Sequence, residues 1–189
     1  MPNFAQTQNR MKQKQMIWVV AALVIFAALT RIMLYPFNFS PVIALALFGG
    51  ACIPDRRLGF FLPVLAMFVS DLMFEFFNIA PGFWGWEQLA HYAFFVLIAF
   101  LGSAIGKPSV LKVIGTSLAS SLIFFFLSNS LVWLADKTYY AQDISGWANC
   151  LAAGLPFLKN SILADLLYSG LFFGGYALLF RNSLKEAKA

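Results

Sequence analysis

Long apolar runs separated by short polar connections make up most of this chain of 189 residues. A helix of about 20 apolar residues is long enough to cross the ~30 Å hydrocarbon core of a lipid bilayer. The runs lie at about 16–35, 41–53, 58–77, 89–106, 109–135 and 150–180. The pattern therefore predicts an all-α polytopic membrane protein, a six-helix bundle at 16–181 between polar tails at 1–15 and 182–189.

The second apolar run differs in length from the others. Its roughly thirteen residues would reach only about 20 Å as a helix, which is too short to span a bilayer. We therefore predict a short second helix that is held inside the bundle by its neighbours. The last two runs are longer than a span needs, and this predicts tilt, ends that protrude into water, or a break near Pro156.

Composition supports the membrane assignment and changes the meaning of the net charge. The chain is 61% hydrophobic and 11% charged, whereas about 25% of residues are charged in soluble domains. The net charge of +5 does not indicate nucleic-acid binding, because the basic residues lie at the ends of apolar runs. Ten Lys and Arg residues lie on one side of the predicted membrane, and only Lys137 lies in a connection on the other side. By the positive-inside rule, both termini are predicted to be cytoplasmic.

Ionisable and amide side chains inside the apolar runs fall at one predicted depth. An ionisable side chain at mid-membrane costs roughly 2.5–3.5 kcal/mol on insertion scales, so it normally faces protein or water. Arg31, Asp71 and Asn129 come late in outward-running helices, whereas His91 and Lys159 come early in inward-running ones. These positions predict a polar chamber that opens at the outer face. The candidate substrate-binding residues are Arg31, Asn38, Asp71, Glu75, Trp86, His91, Asn129, Lys159 and Asn160.

The charges in this chamber are expected to pair across helices. Asp71 and Glu75 share a helix face at i, i+4, so Lys159 is expected to find its counter-ion in one of them, with Arg31 competing. The alternative is that Lys159 and Asp71 only hold two helices together. Asp165 lies about two turns deeper than Lys159. Next to Tyr168, Asp165 is either a helix-packing hydrogen-bond partner or a proton carrier.

The predicted outer connections are rich in aromatic residues and lie at 36–40, 78–88 and 136–149. Their Trp and Tyr side chains suit an interfacial aromatic belt, or else a lid over a ligand. Small residues at four-residue spacing predict close approach between helices, for bundle packing or for a dimer contact. These pairs are Ala46 with Gly50, Gly102 with Gly106, and Gly170 with Gly174.

Residues that would indicate metal, disulfide or hydrolytic chemistry are scarce. His91 and Glu87 supply two ligands, whereas a structural metal site needs about four. Cys52 and Cys150 are predicted in opposite leaflets, which excludes a disulfide between them. The sequence has no GxSxG, HExxH, CxxC or phosphate-binding Gly-rich motif. We therefore expect no enzyme, no cofactor and no metal site.

Three stretches between about Arg31 and Gly175 resemble an uncharacterised bacterial family of six-helix inner-membrane proteins. They are "NFSPVIALALFGGACIPDRRLGFFLPVLAMFVSDL" (38–72), "FFFLSNSLVW" (124–133) and "GWANCLAAGLPFLKNSILADLLYSGLFFGG" (146–175). That family in turn resembles the substrate-binding S components of energy-coupling-factor vitamin transporters. The resemblance implies six helices in the bacterial inner membrane, cytoplasmic termini and a vitamin pocket near the outer face.

Among S components, the nearest pattern is that of the solitary cobalamin-uptake type. The resemblance implies an Asp late in helix 3, which is Asp71 here, and a basic residue early in helix 6, which is Lys159. That type has a cobalt-binding cysteine in the loop after helix 3, whereas "NIAPGFWGWEQ" has none. S components that dock on a shared energising module present an Ala-x-x-x-Ala face on helix 1. Helix 1 here does not have that spacing, since its alanines include Ala21, Ala22, Ala27 and Ala28.

The sequence and the resemblance together favour a membrane-embedded binding and uptake protein for a vitamin-like micronutrient. Its expected partners are the lipid bilayer, that small-molecule ligand, with cobalamin as one candidate, and an energising membrane module. The alternative is a non-transporting structural or assembly protein of the membrane, in which polar residues only lock helices together.

Overall fold

The computed structural model describes the backbone of residues 4–33 and 39–179, and side chains from residue 17 to residue 178 outside the gap at 34–38. Six helices and no strands occur in this part of the chain, which confirms the predicted all-α bundle. The helices are α1 (Phe4–Met33), α2 (Val42–Cys52), α3 (Arg56–Phe76), α4 (Trp86–Ser103), α5 (Val110–Ala135) and α6 (Ile144–Leu179).

The short helix α2 occupies the centre of the bundle. Every residue from Val42 to Gly49 is buried, and α2 packs against each of the other five helices. Around it, α1 lies beside α3, α3 beside α4, α4 beside α5, and α5 beside α6. Phe26 of α1 closes the ring, since its side chain contacts Tyr168 and Phe172 of α6 in edge-to-face geometry. The prediction of a short, enclosed second helix is therefore confirmed.

Glycines bring α2 very close to its neighbours. A Cβ atom on Gly50 would overlap the backbone carbonyl of Ala99 in α4, and one on Gly102 would overlap the backbone of Leu47. The predicted small-residue packing is thus confirmed for Gly50 and Gly102. Packing inside the bundle is wrong for Gly170 and Gly174, because nothing described lies within 4 Å of a Cβ built on either. For these two residues the alternative, a dimer contact, stays a prediction. Gly106 follows the end of α4 with a φ of +66°, so it serves the turn and not helix packing.

Helix boundaries differ from the apolar runs where polar residues continue a helix. The backbone of α1 is already helical at Phe4, inside the predicted polar tail. The helix α6 begins at Ile144 because Asp143 caps it: Asp143 Oδ1 accepts a hydrogen bond from the Gly146 backbone N–H at 2.8 Å. It continues through Pro156, so the break offered as one alternative is absent from the described helix.

The surface of the bundle is apolar to an extent that is unusual for a soluble protein. Leu111 and Phe76 expose about four-fifths of their side-chain surface, at 81% and 80%. Three helices, α3, α5 and α6, are long and apolar enough to cross a membrane, and the apolar parts of α1 and α2 are shorter. These features assign the protein to the lipid bilayer.

Candidate binding site at the predicted outer end

The carboxylate of Asp71 is the centre of a polar cluster between α1, α3 and α4. Its side chain is only 1% exposed. Oδ1 accepts a hydrogen bond from Arg31 Nη1 at 2.5 Å, and Oδ2 accepts one from Gln88 Nε2 at 2.7 Å and one from the Tyr92 hydroxyl at 2.8 Å. We call Arg31, Ser70, Asp71, Gln88 and Tyr92 the Asp71 cluster. Both oxygens of the buried carboxylate are therefore satisfied by protein groups.

The guanidinium of Arg31 is held by three kinds of contact. It forms an ion pair with Asp71, and the same Nη1 donates to Ser70 Oγ at 2.5 Å. Its Cζ atom lies 4.7 Å from the ring centre of Phe74, within the range of a cation–π interaction. The exposed fraction of the Arg31 side chain is 11%. The positive charge is thus compensated inside the bundle.

The connection between α3 and α4, residues 77–85, folds over the Asp71 cluster, and we call it the cover loop. Gly82 is buried in this loop, and its backbone N–H donates to Glu75 Oε2 at 3.0 Å. The Gly82 carbonyl accepts from Gln88 Nε2 at 3.0 Å. A Cβ at this position would overlap the backbone carbonyl of Asp71, so only glycine fits here without a shift. The predicted site residue Glu75 therefore holds the loop and is not one of the groups that bond to the Asp71 carboxylate.

His91 belongs to an aromatic group next to the cluster. Its ring centre lies 6.0 Å from that of Trp84, 5.7 Å from that of Phe94 and 5.9 Å from that of Phe124. Its Nδ1 atom lies 2.7 Å from the backbone oxygen of Glu87, one turn earlier. Trp86, the first residue of α4, is 58% exposed. The structure therefore places His91, but not Trp86, in this aromatic group.

The predicted site residue Asn129 of α5 does not join the Asp71 cluster. Asn129 Nδ2 donates to the Phe125 carbonyl of its own helix at 2.8 Å, and its side chain packs against Gly154. Asn160 is half-buried on α6. Asn38 lies outside the described residues.

The expected pairing of Lys159 with Asp71 or Glu75 is wrong. Asp71 pairs with Arg31, and the described part of the chain gives Lys159 no ion pair. Lys159 is exposed and lines a shallow surface groove of about 370 Å³ with Leu155, Leu158, Ile162 and Leu163. Arg31 wins this competition because α1 packs directly against α3, whereas α6 packs mainly against α5 and α2.

A larger open volume, of about 470 Å³, lies at the opposite end of the bundle between α4 and α5. Its lining is mostly apolar, with Leu101, Ile105 and Ile123 among the residues and Lys112 at its edge. Lys112 Nζ donates to the Ile105 carbonyl at 3.1 Å. This groove contains none of the predicted site residues. The polar level predicted from the sequence is therefore a packed cluster that lies apart from this groove.

Residues 11–187 match a protein family described as a family of unknown function, DUF6580. The match covers most of the chain. The protein belongs to the DUF6580 family. Neither a curated protein nor a solved structure matches the chain. The likeness of this DUF6580 protein to S components stays a prediction from the sequence.

Sequence reasoning missed three members of the Asp71 cluster in the DUF6580 protein, namely Ser70, Gln88 and Tyr92. Gln88 and Tyr92 have the same i, i+4 spacing as Glu87 and His91, one residue further along α4. A helix turns by about 100° per residue, so this single step decides which pair faces Asp71. The sequence around the start of α4 does not show which of the two pairs faces the bundle. The burial of Gln88, at 4% exposed, is the feature that distinguishes the inward pair.

Metal-ligating side chains do not gather anywhere in the described part of the DUF6580 protein. No group of three or more His, Cys, Asp or Glu residues that could hold a metal ion occurs among the described residues. Cys52 and Cys150 are both buried and free. Cys150 Sγ donates to the Asn129 carbonyl at 3.3 Å, which ties α6 to α5.

Proposed function

We propose that this DUF6580 protein is a membrane-embedded binding protein for a small, polar, vitamin-like organic solute, which it takes up at its predicted outer end. The observation that carries the proposal is the cover loop folded over a buried ionic cluster. Charged groups inside a membrane protein are costly and commonly mark ligand or ion sites. A buried ion pair is also weak evidence of stabilisation by itself, because desolvation offsets much of the Coulomb attraction.

The Asp71 cluster offers groups that can exchange protein partners for a ligand. Arg31 can bind a carboxylate or phosphate, and Asp71 can accept from a hydroxyl, amide or amine. Gln88 and Tyr92 supply an amide and a hydroxyl that suit either kind of group. In the structure these groups satisfy one another.

The cover loop is attached to the cluster in a way that supports opening. Gly82 is bonded to Glu75 and to Gln88, and the backbone N–H of Trp84 donates to Gln88 Oε1 at 3.4 Å. These bonds use side chains at the ends of α3 and α4. Release of Gly82 would leave Gln88, Tyr92 and Asp71 with polar groups facing the opening. The loop's exposed Phe83 and Trp84 would then line the entrance.

The protein binds and moves the solute in this role, without a chemical step on it. It lies in a bacterial inner membrane with an S-component-like role, and its partners include an energising membrane module. Lys159 is not assigned to the site. Ser70, Gln88 and Tyr92 are assigned to the site instead.

Purified full-length protein in detergent should reveal the solute in two ways. Mass spectrometry of denatured protein should find a co-purified compound. The melting temperature should rise by several degrees when that compound, or a vitamin from a test panel, is added. Gln88→Leu removes the bonds to Gly82 and Asp71 but leaves the Arg31–Asp71 pair. We expect it to weaken binding by about three- to tenfold, the loss of a hydrogen bond or two.

Gln142→Leu is the matched control for this experiment. Gln142 is an exposed glutamine in another predicted outer connection, where its Nε2 donates to the carbonyls of Trp133 and Tyr140. Binding should be unchanged in this variant. A compound that binds Gln88→Leu and Asp71→Asn as tightly as the parent protein would remove the site assignment. Failure of every compound in the panel and of the co-purification assay would remove the function.

One observation favours the second candidate function, a non-transporting membrane protein whose polar residues lock helices together. Asp71 is 1% exposed, and both of its oxygens already have protein partners. A purely structural role in holding helices together requires no further partner for Asp71. It predicts that joint replacement of Arg31 and Asp71 by apolar residues is tolerated and that no solute stabilises the protein.

A further inference from the structure

A second buried polar group lies between α5 and α6, away from the Asp71 cluster. On α6 its members recur every four residues, and on α5 two of them are also four residues apart, so each set shares a helix face. Hydrogen bonds join the two faces across the interface. Five of the six side chains are at most 1% exposed, and Ser161 is half-buried. We call this set the serine cluster: Ser117, Ser120 and Ser121 of α5 with Ser161, Asp165 and Ser169 of α6.

Hydrogen bonds join the serine cluster across the interface but leave two of its atoms without a partner. Ser121 Oγ donates to Asp165 Oδ2 at 2.6 Å, and Ser161 Oγ donates to the same oxygen at 3.3 Å. Ser169 Oγ donates to Ser117 Oγ at 3.3 Å. Asp165 Oδ1 and Ser120 Oγ are buried with no hydrogen-bond partner in the described part of the chain. Buried polar atoms are nearly always paired, so these two atoms point to a missing ligand.

The charge of Asp165 is not balanced by any described side chain. Asp71 has the guanidinium of Arg31, whereas the partners of Asp165 are neutral hydroxyls. The helices packed on this part of α6 offer no cation in contact with Asp165. Besides Asp165, the titratable or charged groups among the described side chains of α1, α2, α5 and α6 are Arg31, Cys52, Lys112, Cys150, Lys159, Tyr168 and Tyr176. The hydrogen bonds that the structure gives Asp165 come from Ser121 and Ser161. An ionised carboxylate in such a place is very costly unless a cation joins it.

We propose that the serine cluster binds one sodium ion, held by the carboxylate of Asp165 and by serine hydroxyl oxygens. The donors are all oxygen, which hard cations prefer, and they carry a single negative charge. A monovalent cation neutralises that charge, whereas a divalent ion would leave an excess. Ser121 Oγ also lies 3.1 Å from the Ser117 carbonyl, so among the serines of the cluster only Ser120 lacks a hydrogen-bond partner in the described part of the chain. Protonation of Asp165 is the other way to remove its charge, and the pH dependence of stability distinguishes a proton from sodium.

The sodium site is a separate inference from the outer binding site. It uses α5 and α6, and the proposed solute site uses α1, α3 and α4. The site holds whether or not the protein binds a vitamin-like solute. Its test accordingly needs no solute.

Thermal unfolding of the purified full chain in different chloride salts tests this site directly. At equal ionic strength and fixed pH, the melting temperature should rise with NaCl in a saturating manner and stay flat in KCl and choline chloride. Asp165→Asn should abolish the sodium response. Ser121→Ala keeps the carboxylate and removes one proposed ligand, so it should raise the NaCl concentration at half-effect several-fold.

Ser128→Ala is the matched control, because Ser128 lies on α5 outside the cluster and donates only to the Phe125 carbonyl. Its sodium response should equal that of the parent chain. If Asp165→Asn does not fold, radioactive sodium binding to the parent chain and to Ser121→Ala decides the question. Equal melting curves in all three salts overturn the proposal. A stability that follows pH and ignores sodium overturns it as well, since Asp165 would then hold a proton.

Discussion

Arg31 of α1 and Asp71 of α3 form the only ion pair among the described residues, with Nη1 and Oδ1 2.5 Å apart. The same carboxylate accepts hydrogen bonds from Gln88 and Tyr92 of α4. Three helices therefore meet on one buried acidic group. The cover loop is attached to that group through Gln88.

Mutation of each partner of this ion pair should show how much the pair contributes to the free energy of unfolding. Asp71→Asn leaves the Arg31 charge buried without an anion, and Arg31→Met leaves the Asp71 charge without a cation. Each change should lower the free energy of unfolding by about 3–5 kcal/mol, as measured for other broken buried pairs. The double variant Arg31→Met with Asp71→Asn should lose much less than the sum.

Denaturant unfolding in detergent, analysed as a double-mutant cycle, measures this coupling. Ser70→Ala is a suitable control because it removes one hydrogen bond of Arg31 and leaves the ion pair. It should cost about 0.5–1.5 kcal/mol. Additive losses in the cycle would show that Arg31 and Asp71 do not act as a pair.

The depth of the polar residues could be predicted from the sequence, but their partners could not. Arg31 and Asp71 do lie at one level, because both come late in helices that run in the same direction. The choice between Arg31 and Lys159 depended on which helices are neighbours around α2. Apolar periodicity does not determine that order, since α2 is apolar on every side.

The second feature that could not be predicted from the sequence is the rotation of each helix about its axis. Glu87 with His91 and Gln88 with Tyr92 have equal spacing, and only the hydrogen bonds of the folded structure show that the second pair faces Asp71. The same holds for Asp165. The sequence placed it in an environment separate from Lys159, but serines are so common on helices that its partners Ser121 and Ser161 gave no distinct signal. Only the packing of α5 against α6 shows which serines bond to Asp165.

The contact between α2 and α4 gives a second prediction. Gly50→Ala should lower the free energy of unfolding by about 1–3 kcal/mol, because the new methyl group would overlap the Ala99 carbonyl and force two backbones apart. Gly174→Ala is the matched control in α6, where nothing described lies within 4 Å of the new Cβ. It should be neutral or stabilise by up to about 1 kcal/mol through helix propensity. Equal losses in the two variants would contradict the close approach of α2 and α4.

The cap of α6 gives a prediction about pH. The Gly146 N–H and the Ser145 hydroxyl bond to Asp143 and hold the pKa of its carboxyl below the ordinary value. The capping contribution is thus complete above the ordinary pKa of about 4 and is lost as pH falls through the lowered value. Asp143→Ala should fray the start of α6 at neutral pH, whereas Asp143→Asn should keep the cap and remove its acid sensitivity. Fluorescence of Trp147, followed from pH 7 to pH 2, measures the change. An unaltered acid transition in Asp143→Asn would exclude this role.

The position of Lys159 gives the last prediction, which compares two lysines. Lys159 faces a surface groove lined by leucine and isoleucine and has no ion pair among the described residues. Lys159→Met should therefore leave stability unchanged or raise it, because a charge near lipid is replaced by an apolar side chain of similar length. Lys112→Met should lower stability slightly, because Lys112 Nζ donates to the Ile105 carbonyl, two residues after the end of α4. Melting temperatures of the two variants and of Arg31→Met, measured side by side, test the assignment. A loss in Lys159→Met as large as that in Arg31→Met would return Lys159 to the charged cluster, since only a buried partner could make its removal so costly.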